Sequence, residues 1–385
     1  MIQIRDKTRC CGCAACVQRC PKECITLEED TEGFLYPRVD TMRCVECGLC
    51  EQVCPVLHPG SSRQPQACYA AVHSDATVRC ASSSGGVFTA LAASVISSGG
   101  VVFGARFAAD WSVEHACTET LEGLSAFQGS KYVQSRIGDT YRQAEAFLKQ
   151  GRTVLFTGTP CQISGLRRYL RKDYDALLTM DFICHGVPSP LVWRRYLQAV
   201  RPDTSGSSPR GIYFRDKVLG WHRFSMTIRY DHASVSRPFL EDPYMRGFLF
   251  NLFLRPSCYA CRVKSCSSGA DLTIGDFWSI GRYHPELDDD GGVSSILVHT
   301  PSGARVLEGL PLQLYPATYR EVRKYNSALE HSPKVSETRR ARFYGSMARQ
   351  GVLAACQELT HVPVWKRMLK QIRPFLGKLR RRLLP

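Results

Sequence analysis

Two runs of four cysteines dominate what this chain can become. Cys10, Cys13, Cys16 and Cys20 are followed at once by Pro21, and Cys44, Cys47, Cys50 and Cys54 by Pro55. Both halves have the spacing C-x2-C-x2-C-x3-C-P. The two-residue gaps let three thiolates converge from one tight loop, and the proline ends the turn and turns the fourth thiolate away from its own loop. A run of this kind holds a [4Fe–4S] cluster with three cysteines and lends the fourth to a second cluster. By that rule Cys10, Cys13 and Cys16 pair with Cys54, and Cys44, Cys47 and Cys50 pair with Cys20.

This is the spacing of bacterial ferredoxins, and it points to single-electron transfer. Zinc also favours C-x2-C pairs, but it takes them as two separated pairs per ion rather than as two runs of four. The remaining composition agrees with redox chemistry. Nineteen cysteines in a 385-residue chain without an apolar leader indicate metal or redox use in a reducing compartment rather than a disulfide scaffold. No run of eighteen apolar residues suggests a membrane span, so a cytoplasmic location is expected. The formal charge of +15 overstates the basicity, because each cluster with its four thiolates carries about −2. It is therefore not evidence for nucleic acid, although a zinc-binding, nucleic-acid-associated module is the reading that the pI and C-x2-C pairs would otherwise favour.

The chain divides by pattern. Residues 1–57 read as an α+β dicluster module with short strands near 25–28 and 34–39, and 58–66 as a Pro/Ser-rich linker. From 67 the periodicity alternates between helix and strand. Helices are expected at 87–96, 139–150, 163–170 and 191–200, and strands at 101–107, 153–156, 177–183, 271–278 and 294–299. Such units predict an α/β domain with a mixed or parallel sheet, in parts 67–150 and 151–315, with ligands where strands end and helices begin. A helical, basic tail occupies 316–385.

Four thiols in the α/β region stand where such a sheet could gather them. Cys161 and Cys184 each follow a strand, and Cys258 and Cys261 form a C-x2-C pair. They could hold a third cluster, with Cys266 as a substitute ligand, or be inert buried cysteines, which pack as small hydrophobes. Cysteines 11, 24, 68, 80, 117 and 356 read as structural. Ser82-Ser83-Ser84-Gly85-Gly86 at a helix start and Gly158-Thr159-Pro160 at a strand end offer hydroxyls and free N–H groups suited to a phosphate. Ordinary capping explains them equally.

Five ordered segments resemble one family. They are 83–88 (SSGGVF), 129–135 (GSKYVQS), 158–162 (GTPCQ), 184–189 (CHGVPS), and Cys258-x2-Cys261 with 270–278 (ADLTIGDFW). Together they are similar to the beta subunit of coenzyme F420-reducing hydrogenase and its dehydrogenase relatives, over about residues 67–310. The resemblance implies an iron–sulfur flavoprotein with FAD beside a [4Fe–4S] cluster on Cys161, Cys184, Cys258 and Cys261. It makes the α/β region a flavin-binding domain, with Ser84, Gly85, Gly86, Lys131, Gly158 and Thr159 as candidates around the flavin. Lys131 would place positive charge near a reduced flavin or a phosphate, unless it is a solvated surface lysine.

His185, beside Cys184, could donate a proton near the flavin or be structural. The segment 365–382 could lie on an anionic membrane surface at the cytoplasmic face, dock an acidic partner, or present a solvated basic helix face. The expected function is an oxidoreductase passing electrons between ferredoxin-type clusters, a proximal cluster and FAD, for a small-molecule substrate that is F420-like or belongs to a polysaccharide pathway. The expected partner is a ferredoxin or a redox-complex subunit. The alternative is an electron-transfer subunit without a substrate site of its own.

Overall fold

Val154-Leu155-Phe156 and Leu177-Leu178 are continuous apolar runs, as strands covered on both faces must be, and every one of these residues is buried. In the computed structural model, which describes residues 1–202 and 208–361, they form the centre of an eight-stranded sheet. The strands are β1 (Ile25–Glu29), β2 (Leu35–Val39), β3 (Ala67–His73), β4 (Val101–Phe107), β5 (Val113–Thr118), β6 (Val154–Gly158) and β7 (Leu177–Phe182). They continue with β8 (Gly211–Asp216), β9 (Ser225–Arg229), β10 (Ser234–Pro238), β11 (Leu272–Asp276), β12 (Ser294–Val298) and β13 (Leu312–Ala317). The large sheet has the order β13-β3-β12-β11-β7-β6-β4-β5. Its middle, β11-β7-β6-β4, is parallel, and antiparallel strands extend it on both sides. The sheet is thus mixed. Strands β8–β10 make a small antiparallel sheet of their own, and β1 and β2 pair as a ribbon in the cysteine module.

The 87–97 helix covers one face, where Val87, Leu91 and Val95 meet Val102, Leu155 and Leu178. On the other face Tyr141, Ile163 and Leu166 pack on Phe103 and Phe156, and Cys13, Ala14, Ala15 and Val53 of the cysteine module join the same core. The module is therefore built onto the sheet's helical layer. The 58–66 segment is also held: the Ser62 hydroxyl donates to the Ser265 carbonyl at 2.9 Å.

The described part of the expected basic tail is not a solvated appendage. Helices Glu337–Gln350 and Val352–Thr360 bury Phe343, Val352, Ala355 and Leu359 in a core shared with Trp193, Phe214, Tyr244 and Phe253. The 365–382 segment lies outside the described residues. Among the described residues no helix is long and apolar enough to cross a membrane.

Candidate functional site

The N-terminal thiols lie close to one another in the cysteine module. Cys20, Cys44, Cys47 and Cys50 line one recess, together with Cys24 and Ile25. Cys10, Cys54 and Cys50 are ionisable neighbours of Cys16, and Cys16 and Cys54 are neighbours of Cys13. Burial, then the facing thiols Cys10, Cys54 and Cys50, pushes the Cys16 thiol well up. Four thiols so crowded need positive charge to ionise, which iron would supply. The left-handed Gly12 and Gly48 let each loop turn its thiols inward, and the Ile2 amide donates to Cys50 Sγ at 3.3 Å. Among the described residues no group of three or more His, Cys, Asp or Glu could hold a metal ion.

The α/β thiols come together as well. β6 and β7 are parallel neighbours, so the segments leaving their carboxyl ends bring Cys161 and Cys184 side by side. Cys184 feels Cys258, Cys161 and Cys261, and burial raises its thiol far above the ordinary range before those neighbours act. Burial likewise pushes Cys258 up to about 12, while the Val187 amide donates to its sulfur at 3.4 Å. Lys264 fixes the Cys184 loop through a 2.7 Å bond to the Cys184 carbonyl. Cys266 lines one recess with Cys184, and its ionisable neighbours are Asp181, Cys68 and Glu330.

Cys161 lies in the first turn of the helix Pro160–Leu170 rather than in a loop. Pro160 suits the first helical position, and Thr159 with Gln162 forms a capping box, so the helix begins three residues earlier than its apolar period suggests. The Thr159 hydroxyl sits 3.2 Å from Cys161 Sγ. One turn on, Gly165 lies on the same helix face, and a Cβ there would meet the Cys13 Cβ at 2.9 Å and its Sγ at 3.1 Å. A single helix thus touches both an N-terminal thiol group and the α/β thiol group. Cys11, expected to be structural, lies between them, with Cys13 and Cys161 as neighbours of its thiol.

The residues expected around a flavin fall in two places. Ser84 Oγ donates to the Val293 carbonyl at 2.8 Å, and a Cβ on Gly85 would lie 2.2 Å from the Ala71 carbonyl oxygen. These two residues face the sheet edge, and Gly86 turns the chain into the 87–97 helix with φ 96°. Lys131 is close by, because the Ser130 amide donates to Ser83 Oγ at 2.7 Å. The half-buried Lys131 ammonium reaches the Gln128 and Gly129 carbonyls, and desolvation lowers it to about 7. A Cβ on Gly129 would meet nothing within 4 Å. Gly158 and Thr159 instead belong to the thiol group. His185 sits 2.6 Å from Asn251 Oδ1 and edge-on to Phe248, and burial lowers its pKa. Segment 129–135 links the two places, with Ser130 on Ser83, Gln134 on the Cys11 carbonyl and Ser135 accepting from Gln162.

Residues 9–57 match the 4Fe-4S dicluster domain, and residues 151–316 match the family described as the C terminus of the coenzyme F420 hydrogenase/dehydrogenase beta subunit. The chain thus carries a segment similar to iron–sulfur dicluster domains, followed by one similar to the C-terminal part of the F420 hydrogenase beta subunit. No curated protein matches it. A solved structure, the xenon-derivatised F420-reducing [NiFe] hydrogenase complex from Methanosarcina barkeri, contains a chain 17% identical to it. The match covers 69% of this chain and 88% of that chain, with a TM-score of 0.48.

Arg255 and Gln134 were not singled out from the sequence. Arg255 carried a signal, a lone charge in the apolar run Leu252-Phe253-Leu254 ahead of Pro256.

Proposed function

We propose that the chain is an iron–sulfur flavoprotein oxidoreductase. In this reading Cys10, Cys13, Cys16 and Cys54 hold one [4Fe–4S] cluster, Cys20, Cys44, Cys47 and Cys50 a second, and Cys161, Cys184, Cys258 and Cys261 a third. The observation that carries the reading is the contact of one helix with two thiol groups, Cys161 at its start and Cys13 against Gly165. Electron transfer between centres needs proximity and a dry, rigid path, and the buried residues between the groups provide both.

The chain's own residues divide the work. The outermost group is open: Cys47 is exposed, as are Met42 and Val45 beside it, so a one-electron carrier or a redox-complex subunit meets the protein there. The relation to a hydrogenase subunit supports such a partner. Toward the interior, Cys11 and Thr159 exclude water around Cys161. Lys131, its ammonium lowered to about 7 by burial, can hold or release a proton near neutral pH. FAD, when bound, would exchange two electrons with a substrate and single electrons with the clusters. Its support here is narrower than the sequence suggested, resting on Lys131 and the open ground at Gly129, since Ser84 and Gly85 are engaged by the sheet.

Anaerobic purification followed by iron, sulfide and flavin analysis tests this. About twelve irons and one FAD per chain are expected, and Cys258→Ser should lower iron to about eight without loss of the N-terminal clusters. About eight irons in the native chain would remove the third site. A chain without FAD would leave the electron-transfer subunit as the function.

A further inference from the structure

We infer that Arg255 is a positioning residue for electron transfer, a buried cation between the Cys10 and Cys258 thiol groups that raises the reduction potential of the cluster held by Cys10. The inference rests on the N-terminal clusters of the proposed function.

Arg255 is 0% exposed. Its Nε donates to the Cys10 carbonyl at 2.7 Å, Nη1 to Gln134 Oε1 at 2.9 Å, and Nη2 to the Leu35 carbonyl at 2.9 Å and to Cys10 Sγ at 3.5 Å. The guanidinium also lies over the Tyr36 ring at 4.3 Å and the Phe34 ring at 5.4 Å. These partners are carbonyls, an amide, a thiol and aromatic faces, and no carboxylate is among them. A charge sealed from water is costly unless an opposite charge meets it. Here the one ionisable group within hydrogen-bond reach of the fork is the Cys10 sulfur, 3.5 Å from Nη2. The missing counter-charge is what a thiolate-ligated cluster at Cys10 supplies.

The backbone is shaped around the fork. Gly12 adopts φ +73°, and a Cβ there would fall 2.7 Å from Nη1 and 2.9 Å from Cζ. Arg255 also stands three residues before Cys258, so the guanidinium acts on both thiol groups while hydrogen-bonding only the first. Donation to a ligating sulfur, together with positive charge nearby, stabilises the more negative, reduced state of a cluster. The sign is therefore a raised potential, larger on the Cys10 side. The step it governs is the movement of one electron between the two groups, with no bond made or broken.

The test is an EPR-monitored redox titration of the full chain, purified anaerobically, as native, Arg255→Gln, Arg255→Met and Arg255→Lys. Arg255→Gln should move one cluster midpoint to a more negative potential at unchanged iron and sulfide content. Arg255→Lys, which keeps the charge and loses the fork, should restore part of the shift. Native midpoints in a fully loaded Arg255→Gln protein would overturn the inference. If Arg255→Gln loses iron, the charge-free Arg255→Met decides, and an unshifted midpoint in that cluster-loaded variant overturns it equally. A native chain with about eight irons would count against the third cluster alone, because the shift at the Cys10 cluster would still judge Arg255.

Discussion

Asp181 closes β7 at 2% exposure, and burial pushes its carboxyl up to about 7. It accepts a 2.5 Å bond from the Thr273 hydroxyl, which lies 2.9 Å from His299 Nε2. The two ionisable groups act in opposite directions. Because its folded pKa is raised, Asp181 contributes stability in full below the unfolded carboxylate range, and this is lost as pH rises toward 7. His299, lowered to about 4 by burial, gains stability as pH rises from about 4 to the ordinary histidine range. Asp181→Asn removes only the first effect. The difference in Tm between Asp181→Asn and the native protein should grow in the variant's favour from about pH 4.5 to 7.5. The slope is at most about 1.4 kcal/mol per pH unit. Scanning calorimetry across that range checks it, and a constant difference would show that Asp181 is ionised in the fold.

The Pro160–Leu170 helix is the element on which two thiol groups depend, and Gly165 is where it yields. A methyl at Gly165 would press on the Cys13 Cβ at 2.9 Å and the Tyr141 hydroxyl at 3.0 Å. Overpacking of this kind costs roughly 1–3 kcal/mol. Gly165→Ala should therefore displace the Cys13 loop and lower iron content or alter the EPR line shape of one N-terminal cluster. Cys161 should stay in place, because the helix start is unaffected. An unchanged spectrum would mean that the loop gives way freely. Much of this arrangement was legible beforehand. The two cysteine runs, the ribbon of β1 and β2, and strands β4, β6, β7, β11 and β12 all follow from spacing or apolar period. The N-terminal start of the 160–170 helix was not, because the cue lay in Thr159, Pro160 and Gln162 rather than in the apolar pattern. Strands β5, β10 and β13 are only partly buried, so their periodicity is weak. The loop at 82–86 suggested a phosphate site, but its partners Val293 and Ser294 lie 209 residues away. No local pattern announces a contact of that span.

At the scale of the whole molecule, the cysteine module is held by charged and backbone contacts as well as by the shared core. Arg142 donates to the Gln18 carbonyl at 3.0 Å and to Glu23 at 3.1 Å, while Arg340 pairs with Glu32 and Arg194 with Glu29. The Ser189 hydroxyl donates to the Glu32 carbonyl. Bonds involving charged groups contribute about 1.5–3 kcal/mol each when shielded from water, and Arg255 and Arg340 are so shielded. The covalent link at 58–66 is thus not what holds the two parts together. A protease site placed at 58–59 and then cut should leave fragments that co-elute under native conditions, and separate elution would show that the docking is weak. The wide separation of these partners along the chain has a further meaning. Cys10 and Arg255 are 245 residues apart, and a ribosome adds about 5–20 residues per second. The first cysteines therefore exist for roughly 10–50 s before their cation has been synthesised. Any cluster gained in that interval is gained at the potential of a protein without Arg255, and its value in the finished molecule is set only when the later half of the chain arrives.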